Sequence, residues 1–407
     1  MSSRKPSRRD ILRATAATGA LLAGGGLPAF AEDKPDVELP TGGKGKLTVI
    51  QRQEYFEQAQ TLFRDTVSSF AKDKKVELDI STTNAESFGD FLGKMTAAVK
   101  AGNPPDFAYT SNVSIPQMHT LDLVEDVTDV VAEAEKRYGT IMPGINAAKN
   151  AQFDGRWKSI PFIATTTGYF IRGDKLKEKG IDPKSLVTYE DRRAAALAIS
   201  DAGNKFWGWG LTPNQSGDGF GFLINCIQAF GGHFTDESGM KVTFDSPETR
   251  AAVEWLGETY DRNGKYGAML PPGVESWNDV GNNEAYLAGS IGYTHNAFSI
   301  YAQAKRDNNP VFPNIVLLPA PRANNGDSRD GGNTGGWLTI FKGAPNVDLA
   351  KQLALDLLDP KNFTPMSKVA GGLFMPAYEN LWTDDLIAAS RPQGTPEGIG
   401  DAQGETD

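Results

Sequence analysis

Few side chains in this sequence are spaced for catalysis. The three histidines, His119, His233 and His295, lie far apart, and none has the spacing of a metal site. Cys226 is the only cysteine. It has no Cys-x-x-Cys partner and sits in an apolar helical run, so it reads as a buried thiol. Ser69-x-x-Lys72 matches part of a β-lactamase signature, but no Lys-Thr-Gly accompanies it, and an exposed helix face accounts for it. Gly217-x-Gly219-x-Gly221 lacks the third spaced glycine of a dinucleotide loop and opens no clear βαβ unit. No Gly-Lys-Ser/Thr phosphate loop is present, and no carboxylate pair stands out in an acidic chain. A hydrolase or redox enzyme is therefore the weaker alternative. No catalytic residue, cofactor or metal site is expected.

The stretch with the strongest chemical character is Ile160–Ile171. It is apolar at both ends and holds Thr165-Thr166-Thr167-Gly168 in the middle. A β-branched and aromatic run of this length predicts a strand. Its small hydroxyl residues suit close passage of a ligand. We read it as a strand that crosses between two lobes beside a cleft. Gly335–Phe341 is a second apolar run of the same kind, preceded by the polar, glycine-rich stretch 323–334.

The elements around these runs alternate. Leu47–Ile50 predicts a strand, and Phe56, Ala59, Leu62, Phe63, Val67 and Phe70 recur at helical period over 55–72. Strand 76–80, helix 88–99 and strand 106–110 follow. This βαβαβ order implies parallel pairing and places a ligand outside the carboxyl ends of the strands, near 51–55 and 109–112. Further on, helices are expected at 173–180, 189–199, 220–230, 247–260, 284–287 and 348–358, with strands at 206–211, 291–294 and 315–319. A turn between two short strands is expected at 153–157.

The 407 residues carry 41 basic and 51 acidic side chains, a net charge of −10, which argues against a nucleic-acid partner. Ser7-Arg8-Arg9-Asp10-Ile11-Leu12-Arg13 resembles a twin-arginine export motif. An apolar stretch, 14–27, and an Ala29-Phe30-Ala31 cleavage site follow it. Residues 1–31 hold five basic and one acidic residue, so the mature chain has 36 and 50, a net of −14. The 14–27 stretch is short and rich in glycine, and no later segment has the ~18 apolar residues of a membrane helix. Residues 32–45 read as a linker, and 386–407 as a polar tail expected to be disordered.

Six blocks, in order, resemble the extracellular solute-binding proteins of ABC importers, in the sugar-binding branch that includes maltose-binding protein. They are Asn103–Phe107, Leu123–Thr128, Pro161–Asp174, Val242–Glu248, Tyr286–Tyr293 and Leu317–Gly336. Arg172-Gly173 replaces the family's usual Asn-Lys. The resemblance spans about residues 44–385. It implies an α/β, two-lobed periplasmic-binding-protein fold (type II), each lobe a mostly parallel sheet flanked by helices with hinge strands between. Lobe 1 would be 46–162 plus 338–385, and lobe 2 would be 163–337. Family members carry further helices after the equivalent of residue 385, so either this chain is truncated or its second lobe lacks its closing helices.

The resemblance also implies a periplasmic, soluble monomer that binds a small-molecule solute, a sugar in the first instance, and delivers it to an ABC permease. A non-sugar solute such as a polyol, glycerol phosphate or a peptide-like molecule is the alternative. A sugar needs flat aromatic rings for its C–H faces and amide, carboxylate or hydroxyl groups for its rim. For stacking the candidates are Trp337, Trp209, Tyr109 and Trp277. For hydrogen bonding they are Glu54, Thr165, Thr166, Asn296 and Ser111. Gly335 and Gly336 would let the backbone approach the solute.

Overall fold

In the computed structural model, described over residues 45–83, 88–111, 113–165, 167–236, 241–322 and 333–390, two sheets organise the chain. The described residues fall in one compact unit. β1 (Lys46–Arg52), β2 (Glu77–Thr83) and β3 (Phe107–Thr110) are joined by the helices Glu57–Lys74 and Phe88–Lys100. β1 pairs in parallel with both other strands, as the βαβαβ order predicts. The first helix buries Ala59, Phe63, Val67 and Phe70 at helical spacing, so one apolar stripe fixes its face on the sheet. Asp106, fully buried, ties the strand starts together. Its carboxylate accepts from the Thr48 N–H (2.8 Å), the Thr48 hydroxyl (2.9 Å) and the Asn346 N–H (2.8 Å).

β4 (Gln152–Phe153) and β5 (Arg156–Trp157) form the expected hairpin, turned through Asp154 and Gly155 at φ 52° and 73°. The run expected as one crossing strand is two. β6 (Ile160–Thr165) belongs to the first sheet and β7 (Thr167–Arg172) to the second. The change of sheet thus falls between Thr165 and Thr167, not at 162/163.

The second sheet adds β8 (Trp207–Trp209), β9 (Ile291–Ala297) and β10 (Ile315–Leu318), in the order β10-β7-β9-β8. Its core is aromatic: Tyr169, Trp209, Tyr286 and Tyr293 are fully buried. The helix Tyr189–Ile199 packs on it, opened by a reciprocal Thr188–Asp191 cap.

β11 (Asn333–Ile340) lies wholly in the first sheet, whereas the second lobe expected from sequence runs to residue 337. With β12 (Met375–Pro376) the first sheet reads β12-β6-β11-β3-β1-β2. β11 runs antiparallel to both β3 and β6, and β7 to both β9 and β10, so among the described strands parallel pairing is confined to β2-β1-β3 and β8-β9, and the sheets are mixed rather than mostly parallel as expected. The helices Val347–Leu358 and Pro360–Val369 close this lobe, and Asp384–Ser390 is helical, taking in the first five residues of the polar tail expected at 386–407, whose remainder lies outside the described residues.

Candidate functional site

The carboxyl ends of β1–β3 hold an unusual concentration of unpartnered polar atoms. Eleven buried side-chain atoms lack a hydrogen-bond partner among the described residues, and seven of them are here: Gln51 Oε1, Arg52 Nε, both Glu54 carboxylate oxygens, Ser81 Oγ, Tyr109 OH and Thr110 Oγ1. Leaving such groups unmade is costly, so their clustering calls for a ligand. It falls where ligands bind in open α/β sheets.

β1 positions this set. Arg52 donates to the Ser111 hydroxyl, and its Nε lies 3.1 Å from Glu54 Oε1 as an ion pair. The Glu54 side chain is 1% exposed. Burial raises its pKa against the opposing pull of Arg52 and of the Tyr109 hydroxyl beside it. The same burial raises Tyr109 well above its usual value. Gln60, on the first helix, braces the strand end: its side-chain oxygen accepts from the Glu54 N–H at 3.0 Å, and its carbonyl accepts from Gln51 Nε2 at 3.1 Å.

The second lobe answers with an amide and carboxylate network. Asp279 accepts from the Asp218 N–H at 2.8 Å, near the start of the helix Gly217–Ala229. Asp218 Oδ2 accepts from Asn282 (3.0 Å) and Asn296 (2.8 Å). Asn296 also donates to Asn282 Oδ1 at 3.0 Å and to Asn283 Oδ1, and accepts from Ser299 at 3.1 Å. Burial raises the Asp279 pKa against the cap donors and the charge of Arg52. Residues 52–55 of one lobe therefore oppose 279–283 of the other. Beside them the Tyr55 hydroxyl donates to Gln303, and the Arg306 guanidinium sits 4.9 Å from the Phe56 ring.

The candidates named from sequence divide accordingly. Glu54, Tyr109 and Ser111 gather at the strand ends, and Asn296 anchors the opposing network. Tyr109 offers its hydroxyl only, because its ring is stacked on Phe63 at 5.1 Å and edge-on to Phe162 at 5.3 Å. Trp209 presents no stacking face. It is fully buried among Phe222, Trp255 and Tyr293, with its N–H on the Tyr260 hydroxyl at 3.0 Å. Its burial in the core beneath the short edge strand β8 outweighs its sugar-binding residue type. Trp277 is buried, two positions before Asp279, and its carbonyl accepts from Asn214 at 2.7 Å. Trp337 is buried on β11 opposite Thr110 and Pro161.

Thr165, half-buried, ends β6, and Thr166 lies outside the described residues. Gly335 and Gly336 form an irregularity where β11 meets β6. A Cβ on Gly335 would sit 2.6 Å from Thr165 Cγ2, and one on Gly336 would sit 2.8 Å from the Tyr109 ring. Their lack of side chains thus admits protein neighbours, in addition to any solute. The sequence reading places Arg52 within the 51–55 strand end without singling it out, and misses Asp218, Asp279, Asn282 and Asn283. The available signals are the Asn282-Asn283 pair and the glycine-flanked Asp218, whose glycines suggest a nucleotide loop instead.

Two α/β lobes with opposed polar walls define a solute-binding architecture. The family model described as bacterial extracellular solute-binding protein matches residues 65–390, and the chain belongs to that family. Solved structures agree in fold. Maltose-bound MalE3 of T. maritima has a TM-score of 0.71 at 20% identity, with 85% of each chain covered. An ABC transporter solute-binding protein from Agrobacterium radiobacter K84 in complex with ribitol has 0.69 at 17%, covering 84% of this chain and 83% of that one. One from Thermotoga lettingae TMO bound to α-D-tagatose has 0.66 at 18%, covering 85% and 84%. Among curated proteins, none matches the chain by sequence. No helix among the described residues is long and apolar enough to cross a membrane, and no group of three or more His, Cys, Asp or Glu among them could hold a metal ion.

Proposed function

We propose that this protein is the substrate-binding component of an ABC importer, capturing a carbohydrate or polyol between its lobes and delivering it to the membrane permease. The observation that carries this reading is the set of buried, unpartnered polar atoms at the ends of β1–β3, facing the Asp218–Asn296 network. Hydroxyls of a polyhydroxylated solute both donate and accept, and so suit Gln51, Glu54, Ser81, Tyr109 and Thr110 together. The sugars and polyols bound by similar structures support the same class. Glu54, Ser111, Thr165, Thr166 and Asn296 would read the rim. Trp337 and Trp277 would meet the apolar faces, and Gly335 and Gly336 would admit the backbone. The protein would work as a monomer in the periplasm after twin-arginine export, without a cofactor. Lobe closure would be driven by the solute's preference for the closed form.

A thermal-shift screen against monosaccharides, oligosaccharides and linear polyols tests this reading. A true solute at a hundred times its Kd should stabilise the native chain by about 2.7 kcal/mol, a rise of several degrees. No rise with any of them would refute the carbohydrate reading, and hydrolysis of a screened sugar would favour an enzyme.

A further inference from the structure

The facing walls do not balance in charge. Lobe 1 brings Glu54 and Arg52, which pair with each other at 3.1 Å. Lobe 2 brings Asp218 and Asp279, and Arg52 is the one cation among these four groups. At the flank Arg306 is paired with Asp307 at 3.0 Å, and the nearby Glu284 adds negative charge. His295, behind the wall, is held neutral by burial. An independent observation points the same way. Glu54 is almost wholly buried, and its carboxylate meets only Arg52 Nε, 3.1 Å from Oε1, and the Tyr109 hydroxyl beside it, while Gln51 Oε1 lacks a donor altogether. Two open acceptors, Glu54 Oε2 and Gln51 Oε1, therefore lie in a region whose formal charge is negative.

A neutral hydroxyl fills an acceptor but leaves the charge, and an anion makes it worse. An ammonium group supplies three donors and one positive charge at a single point. We infer that the solute carries a protonated amine on a polyhydroxylated ring, as in an amino sugar or aminocyclitol, with Glu54 and Asp279 holding the amine from opposite lobes. This deepens, and rests on, the solute-binding reading above. Arg52 keeps the two carboxylates from repelling one another while the cleft is empty. Asn282, Asn283 and Asn296 remain for the uncharged hydroxyls.

Calorimetric titration of the mature full chain with matched pairs tests this: glucosamine against glucose, 2-deoxystreptamine against myo-inositol, with glucose 6-phosphate as the anion. In at least one pair the amine should bind about tenfold tighter or more, and Glu54→Gln should erase most of that gap. Should Glu54→Gln fail to fold, Asp279→Asn makes the same test. A neutral member binding as tightly as its amine twin in every pair overturns the amine inference and leaves the carbohydrate reading standing. So does a gap that survives substitution of both carboxylates. Binding of glucose 6-phosphate in preference to glucosamine overturns it too. No heat from any neutral sugar, amine or phosphate overturns both.

Discussion

His295 should make the stability of this protein fall steeply in mild acid. The side chain sits on β9, 4% exposed, with Nε2 2.9 Å from the Thr167 hydroxyl and no partner on Nδ1. Its ring lies 4.4 Å from that of Tyr169, which also faces the buried guanidinium of Arg192 at 5.1 Å. Burial, and then the charge of Arg192, pushes its pKa from 6.5 down to about 4. In the unfolded chain the imidazole takes up a proton as pH drops through about 6.5, while in the folded chain it resists until about 4. The unfolded state therefore binds more protons in that window, and native stability is lost as pH falls through it. At about 1.4 kcal/mol per pH unit, the full loss is about 3 kcal/mol, a large fraction of a typical domain's margin. Urea unfolding at a series of pH values between 7.5 and 4, on the wild type and on His295→Gln, isolates the contribution. Carboxylates and the other histidines titrate in both proteins and cancel in the difference. The wild type should lose about 3 kcal/mol more than the variant across the window. Parallel pH profiles would refute the reasoning, as would an imidazole resonance of His295 titrating near 6.5.

Three further outcomes are expected. Gly336→Ala places a methyl 2.8 Å from a Tyr109 ring already pinned by Phe63 and Phe162, and should cost about 1–3 kcal/mol in urea unfolding while weakening solute affinity. An unchanged midpoint would contradict that packing. Asn296→Ala removes the donor shared by Asp218, Asn282 and Asn283, and should cost about 1–3 kcal/mol. Asn296→Asp should be worse, because it sets a second carboxylate against Asp218. A stable Asn296→Asp protein with full affinity would argue against the network. The Cys226 thiol, fully buried and pushed up to about 12 by burial, should react with a thiol reagent only on unfolding, so rapid labelling of the native protein would count against its placement.

Much of the fold could be read from periodicity because its elements bury one face each. The helix at 189–199 and the alternation through β1, β2 and β3 fall where the apolar spacing put them. The run at 160–171 misled because both of its halves are strands buried in different sheets, and hydropathy carries no mark of a change of sheet. The helices Ser299–Arg306 and Pro360–Val369 were not foreseen. The first is short, and the second holds Pro365, which argues against a helix when only the sequence is in view. In the candidate site, Glu54 and Ser111 lie by the strand ends to which the βαβ order points, and Asn296 was named through the family resemblance. Asp218 and Asp279 were not, because polar groups buried by their mutual hydrogen bonds follow no period. Trp209 was overvalued for the same reason in reverse. Residue type suggests stacking, but depth in the core decides it, as Trp209 demonstrates.

The position of β11 also sets an order of assembly. It sits between β3 and β6, yet in sequence it follows every strand of the second sheet. A growing chain thus exposes all of β7 to β10 before the first sheet can be completed. Until then β3 and β6 each carry an unfilled edge, the kind of surface that templates aggregation. The lobe that is begun first is therefore finished last. A chain ended before residue 333 would hold every strand of the second sheet beside a first sheet still missing a central strand.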